Sequence, residues 1–113
     1  MSSDQISEIA PGIREALTDA RFCATFEVAG QAHKWVQFQA GTVNAAYPHE
    51  EHPAGLLTFL GDGTLTEWTA GKFVTVQLAS NDVRAIARWI DRYFERALAA
   101  GEDYPIDLRI EVI

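Results

Sequence analysis

Two histidines and two glutamates sit together in Tyr47-Pro48-His49-Glu50-Glu51-His52-Pro53, the densest polar cluster of the sequence. Imidazole and carboxylate are ligands that zinc and related divalent ions take from proteins. The zinc-protease signature places its two histidines at i, i+4 on one helix face. His49 and His52 stand at i, i+3 instead, and prolines bracket them into a loop. A third ligand has to come from elsewhere, and His33 is the only other histidine. Without a metal, the cluster reads as an exposed acidic turn. Glu50 and Glu51 would need differing environments to act as general acid and base, and adjacent exposed carboxylates lack them. Cys23 lies on an alternating run, on the side away from Phe22, Phe26 and Val28. No base or cation that would activate its thiol is evident, so it reads as a packed cysteine. Gly61-Asp62-Gly63 is short and reads as turn chemistry. No Gly-x-Ser-x-Gly elbow or phosphate-cradling loop is present. The expectation is a protein that is not an enzyme and holds neither metal nor cofactor.

A second pattern concerns binding. Arg84, Arg88, Arg92 and Arg96 recur at i, i+4 through the last third of the chain. On a helix they form a ribbon that drifts about 40° per step. Guanidinium groups pair bidentately with carboxylates, so the ribbon can hold an acidic segment of a partner or of a second copy. Its plainer reading is a solvated face paired to nearby carboxylates, which adds little stability. Trp89 lies beside Arg88 and Arg92, and tryptophan and arginine are enriched in binding hot spots.

The totals bound the class. The chain has 113 residues, 48% of them hydrophobic, which fits one α+β domain over residues 1–113 with its own core. Its formal net charge is −7, which argues against nucleic acid as a partner. The segment from Asp82 to Arg96 departs from this, setting four arginines against Asp82, Asp91 and Glu95 for a local balance of +1. One cysteine allows no internal disulfide and suits a reducing compartment. The acidic start of the chain does not read as a secretory signal, and no apolar run is long enough for a membrane span. These features predict a cytoplasmic protein.

The elements that position these residues follow from periodicity. Ile6, Ile9, Ile13 and Leu17 share a face and predict a helix over Asp4 to Ala20, kinked at Pro11-Gly12. Arg21 to Val28, Lys34 to Gln39 and Val43 to Tyr47 alternate and are joined by short turns, predicting an antiparallel meander. Ala54 to Leu60 is either a short helix entered at Pro53 or a strand. Thr64 to Thr69 and Phe73 to Leu78 read as strands. Val83, Ile86, Ala87, Ile90, Tyr93, Phe94, Ala97 and Leu98 form the core-facing stripe of a long helix, Asn81 to Ala99, capped by Ser80 or Asn81 and ended by Gly101. Ile106 to Ile113 alternates and predicts a half-buried strand or an extended arm. The fold class is therefore α+β, a sheet of five or six antiparallel strands with helices on one face. The other face would show Trp35, Gln37 and Gln39, with Trp68 as a further candidate, and this uncharged aromatic surface is a candidate contact.

The Trp35-Val36-Gln37-Phe38 strand, following a strand and a tight turn, resembles the Tyr-Val-Gln-Phe-type strand of small bacterial chaperone-like domains, the YbjN and TY-Chap group. With Ala54 to Leu60 as a helix, the element order also resembles the class I type III secretion chaperones: helix, three strands, short helix, two strands, long helix. The strand after Gly101 departs from that pattern. The resemblance implies a small acidic cytoplasmic protein, often dimeric, that binds extended segments of a protein partner on its sheet and grooves. The expected function is a non-enzymatic binding protein, chaperone- or adaptor-like and in the form of a homodimer, with Trp35, Gln37, Arg84, Arg88, Trp89, Arg92 and Arg96 as contact residues. The alternatives are a toxin-neutralising immunity protein and a small metal-dependent enzyme built on the His49–His52 loop.

Overall fold

The computed structural model describes residues 3–101 and 103–113. Its elements run α1 (Ser3–Ala16), β1 (Phe22–Val28), β2 (Gln31–Gln39), β3 (Thr42–Ala46), α2 (Ala54–Leu60), β4 (Thr64–Thr69), β5 (Phe73–Gln77), α3 (Val83–Arg96) and β6 (Ile106–Val112). All pairings are antiparallel, and the sheet order is β4-β5-β3-β2-β1-β6. The α+β expectation holds. The segment from Ile106 onward is a strand on the sheet edge, and Ala54–Leu60 is a helix.

Side-chain alternation divides the sheet into two unlike faces. Ala24, Phe26, Val28, Val36, Phe38, Val43, Ala45, Val74 and Val76 point inward and are buried. They meet Ile6, Ile9 and Ile13 of α1 and Ile86, Ile90, Tyr93 and Phe94 of α3 in one core. Each large side chain of this set contributes about 1.5–3 kcal/mol by leaving water. The outer face carries Thr25, Gln37, Asn44 and Thr75 in register across four strands. Gln37 donates to Thr25 Oγ1 at 3.3 Å and Thr75 donates to Asn44 Oδ1 at 3.0 Å, so this polar row is cross-linked. Trp35 lies on the same outer face, with buried Ala46 between it and Phe73.

Trp68 departs from the expectation that it joins Trp35. The register of β4 on β5 slips between Leu65 and Glu67, so Thr66 is an extra residue. The bulge turns Leu65 and Trp68 to the same inner side despite their odd spacing. Trp68 then packs under the histidine loop, its ring 5.0 Å from His52 and 6.2 Å from Tyr47.

Helix boundaries also differ from the periodic estimate. The first helix ends at Ala16 because Thr18 Oγ1 bonds the Glu15 carbonyl and Asp19 accepts from the Arg21 N–H, forming a turn. Leu17 is left 37% exposed. The cap of α3 is Asp82, whose carboxylate accepts from the Ala85 N–H at 3.0 Å, while Ser80 instead accepts from Asp82 N–H. At the other end, Ala99 takes a left-handed conformation (φ 51°) and turns the chain before Gly101 is reached.

Two positions make this packing testable. Gly12 lets α1 approach the sheet: a Cβ there would stand 2.9 Å from the Phe26 ring and 2.8 Å from Leu108. Leu108 can move aside because it is half exposed, but Phe26 is fully buried. Alanine in a helix gains about 0.5–1 kcal/mol over glycine, and overpacking costs about 1–3 kcal/mol. Gly12→Ala is therefore expected to lower stability by about 1–2 kcal/mol in urea unfolding.

Asp91, expected beside the arginine ribbon, is fully buried instead. Its Oδ1 accepts from the Tyr104 hydroxyl at 2.6 Å, and the Tyr104 carbonyl accepts from Gln5 Nε2 at 3.0 Å. Among the described residues, Asp91 Oδ2 has no partner. Burial raises the pKa of this carboxyl, partly countered by the Tyr104 bond, with Glu95 adding to the rise. A raised folded pKa gives stability that is complete below the unfolded value and is lost as pH climbs through the folded value. Asp91→Asn keeps an acceptor for Tyr104 and removes the charge. It is expected to match the wild type near pH 4 and to become the more stable of the two as pH rises. Thermal unfolding across a pH series would show the two curves diverging as pH rises.

Candidate functional site

The candidate site forms where α2 meets the last two turns of α3. Pro53 starts α2, and Leu57 and Leu60 anchor it in the core. That spacing leaves Phe59 outside, 45% exposed. Three side chains of α3 hold the neighbouring backbone. Trp89 Nε1 donates to the Asp62 carbonyl at 2.6 Å, Arg92 donates to the Phe59 carbonyl at 3.1 Å, and the Tyr93 hydroxyl donates to the Ala46 carbonyl at 2.7 Å.

Two guanidinium groups cover Phe59. The Cζ of Arg96 lies 4.1 Å and that of Arg92 4.8 Å from the ring centroid. Such contacts hold a cation by the ring quadrupole while its N–H donors remain able to bond elsewhere. Among the described residues, Arg84, Arg88, Arg92 and Arg96 have no carboxylate within ion-pairing distance; the ion pairs involve Arg21 and Arg109.

The histidine loop forms the facing wall. The Tyr47 hydroxyl donates to the Glu51 carbonyl at 2.6 Å, and the Gly71 N–H donates to the His49 carbonyl at 2.8 Å, which fix the loop's path. His49 Nε2 lies 2.7 Å from the Ala97 carbonyl. A carbonyl can only accept, so Nε2 carries a hydrogen there. This bond satisfies one of the orphan carbonyls at the end of α3. His52 Nδ1 accepts from the Ala54 N–H at 3.1 Å and so serves the start of α2. Between loop and helices lies an open cleft of about 480 Å³, lined by Tyr47, His49, His52, Leu56, Phe59 and Arg96 among others.

The fold therefore joins features that the sequence presents as rivals. Arg96, His49, Glu51 and His52 line one cleft, and its Phe59 and Arg96 also line a neighbouring pocket together with Arg92 and Glu95. Arg84 and Arg88 do not line it. Glu50 is exposed, and its Oε2 sits near Gly71. Trp89 is buried at 4% exposure and stacks on Tyr93 with centroids 5.7 Å apart, so it supports the site from beneath and offers no contact surface. Trp35 and Gln37 lie on the outer sheet face, away from the cleft. Among the described residues, no three His, Cys, Asp or Glu side chains converge on a point that could hold a metal ion. Cys23 is buried, and burial pushes its thiol pKa up, opposite to what a nucleophile needs. Phe59 is the one central residue that sequence reasoning missed. Its signal depends on the helical phase of a seven-residue segment whose apolar residues fit a strand equally well.

The chain matches no family model, no curated protein and no solved structure.

The His49 bond generates a structural prediction. His49→Ala frees the Ala97 carbonyl and is expected to cost about 0.5–1.5 kcal/mol in denaturant unfolding. His52→Ala acts on an exposed backbone group and is expected to cost less than about 0.5 kcal/mol.

Proposed function

We propose that this chain is a non-enzymatic, cytoplasmic protein-binding module, chaperone- or adaptor-like, whose docking site is the cleft between α2, α3 and the His49–His52 loop. The partner segment is extended and carries a carboxylate beside an apolar side chain. The carboxylate pairs with Arg92 and Arg96, and the apolar group enters the cleft against Leu56 and Phe59. One observation carries this reading: two arginines without carboxylate partners among the described residues are held over an exposed phenyl ring at the mouth of a cleft.

Several further points support it. Phe59 organises both guanidinium groups in advance, so less side-chain entropy is lost when a carboxylate binds. The protein is acidic overall while α3 carries four arginines, a charge asymmetry that favours one docking orientation for an acidic segment. Helix α2 supplies the short element on which the likeness to secretion-chaperone topology depends. No helix among the described residues is long and apolar enough to cross a membrane. The histidines serve the backbone at two helix ends, a structural duty that accounts for them without a reaction.

A random-peptide display selection against the immobilised protein tests the proposal. Enriched peptides are expected to place Asp or Glu next to a bulky apolar residue. A variant carrying Phe59→Ala, Arg92→Ala and Arg96→Ala is expected to bind the selected peptides at least roughly tenfold more weakly, as the loss of a charge pair and an apolar contact implies. Enrichment without acidic bias, or equal binding by the variant, would refute it.

A further inference from the structure

The two edges of the sheet are built differently. On the β4 edge the register is broken by the Thr66 bulge, a device that blocks pairing with another strand. The β6 edge is regular. Register with β1 is continuous from Ile106 to Val112, without bulge or internal proline. Its charged residues, Asp107, Arg109 and Glu111, stand on the outer face, and its inner-facing side chains are apolar and poorly covered. Leu108 is 42%, Ile110 37% and Val112 66% exposed. Leu17 lies at the same end of the sheet, just before Arg21, whose carbonyl accepts from Ile113 N–H.

The ladder pattern shows which backbone groups are unused. Ala29 N–H bonds the Pro105 carbonyl, and Ile113 N–H bonds the Arg21 carbonyl. In an antiparallel pair, hydrogen-bonded positions alternate. With this register, 105, 107, 109, 111 and 113 address β1. The N–H and C=O groups of Leu108, Ile110 and Val112 therefore point out of the sheet edge, and no described strand meets them.

From this we infer that β6 pairs antiparallel with β6 of a second copy, extending the sheet across a two-fold axis at Ile110. Charge and apolar pairing together select the register. A two-fold axis at Arg109 sets Arg109 against its own copy and Asp107 against Glu111, with like charges opposed throughout. An axis at Ile110 sets Arg109 opposite Glu111 on both sides of the axis. It also places Ile110 against Ile110 and Leu108 against Val112, which covers the most exposed apolar side chain of the strand. An axis at Leu108 gives opposite charges too, pairing Asp107 with Arg109, but leaves Val112 beyond the paired apolar set, opposite Tyr104. Opposite charges and apolar groups set directly across antiparallel strands each favour pairing by a few tenths to about 1 kcal/mol, and like charges oppose it similarly. This interface lies at the opposite sheet edge from the α2–α3 cleft and stands independently of the proposed function.

Sedimentation of the full chain over a concentration series tests the inference, with a dimer as the expected species. Arg109→Glu and Glu111→Arg are each expected to weaken the dimer at least roughly tenfold, because each sets like charges opposite one another twice. A mixture of these two variants is expected to recover dimer. In the mixed pair, positions 109 and 111 are both acidic on one chain and both basic on the other, so opposite charges again meet on both sides of the axis. Ile110→Pro deletes an N–H that β1 does not use. It is expected to give a monomer with wild-type circular dichroism. A wild-type protein that stays monomeric at every concentration would overturn the inference, as would a dimer indifferent to all three substitutions. Failure of the mixture to recover dimer would overturn the Ile110-centred register.

Discussion

The structure depends on how α3 lies against one face of the sheet. Ile86, Ile90, Tyr93 and Phe94 need the apolar inner face, and that requirement fixes the rotation of the helix about its axis. With the rotation fixed, Trp89, Arg92 and Tyr93 reach three separate backbone carbonyls, those of Asp62, Phe59 and Ala46. These bonds bracket α2 and the start of the histidine loop. The cleft is therefore a consequence of core packing. Its walls are short segments that would not hold a shape alone, and α3 holds them in place.

The same burial changes the charge of the exposed helix face. Counted from sequence, residues 82–96 carry +1, four arginines against Asp82, Asp91 and Glu95. Asp91 is fully enclosed, so its carboxyl is withdrawn from the exposed face, and burial raises its pKa. The exposed face of the segment therefore sets four arginines against Asp82 and Glu95. A protein with net charge −7 thus gathers four arginines on one helix, and two of them, Arg92 and Arg96, are held over Phe59.

Strong periodicity made most elements legible. The alternation of Phe22 to Val28 and of Ile106 to Val112 marked two strands, and the stripe from Val83 to Phe94 marked the helix that organises the site. What escaped were features that depend on a partner in space. Trp68 changes face because one extra residue bulges out of β4, and no local pattern announces a bulge. Asp91 looks like a surface charge until Tyr104, on a distant loop, is seen to donate to it. Trp89 looks like an interface residue until the Asp62 carbonyl is found beneath it. Phe59 could not be placed at all, because seven apolar and small residues carry too little periodicity to separate helix from strand.

The pairing of β1 with β6 also sets an order of events. Strand β1 has β2 as a near neighbour in sequence, but its other side waits for a strand made at the far end of the chain. Closing that long loop costs more entropy than closing the β1–β2 turn, which favours docking of β6 after the hairpin. Until then the Phe22-Cys23-Ala24-Thr25-Phe26 strand is a bare, apolar edge. Another chain's β6 can fill it as well as the chain's own, since the register is identical. Refolding at high concentration thus favours exchange of the last strand between molecules, and slow dilution favours the self-contained fold.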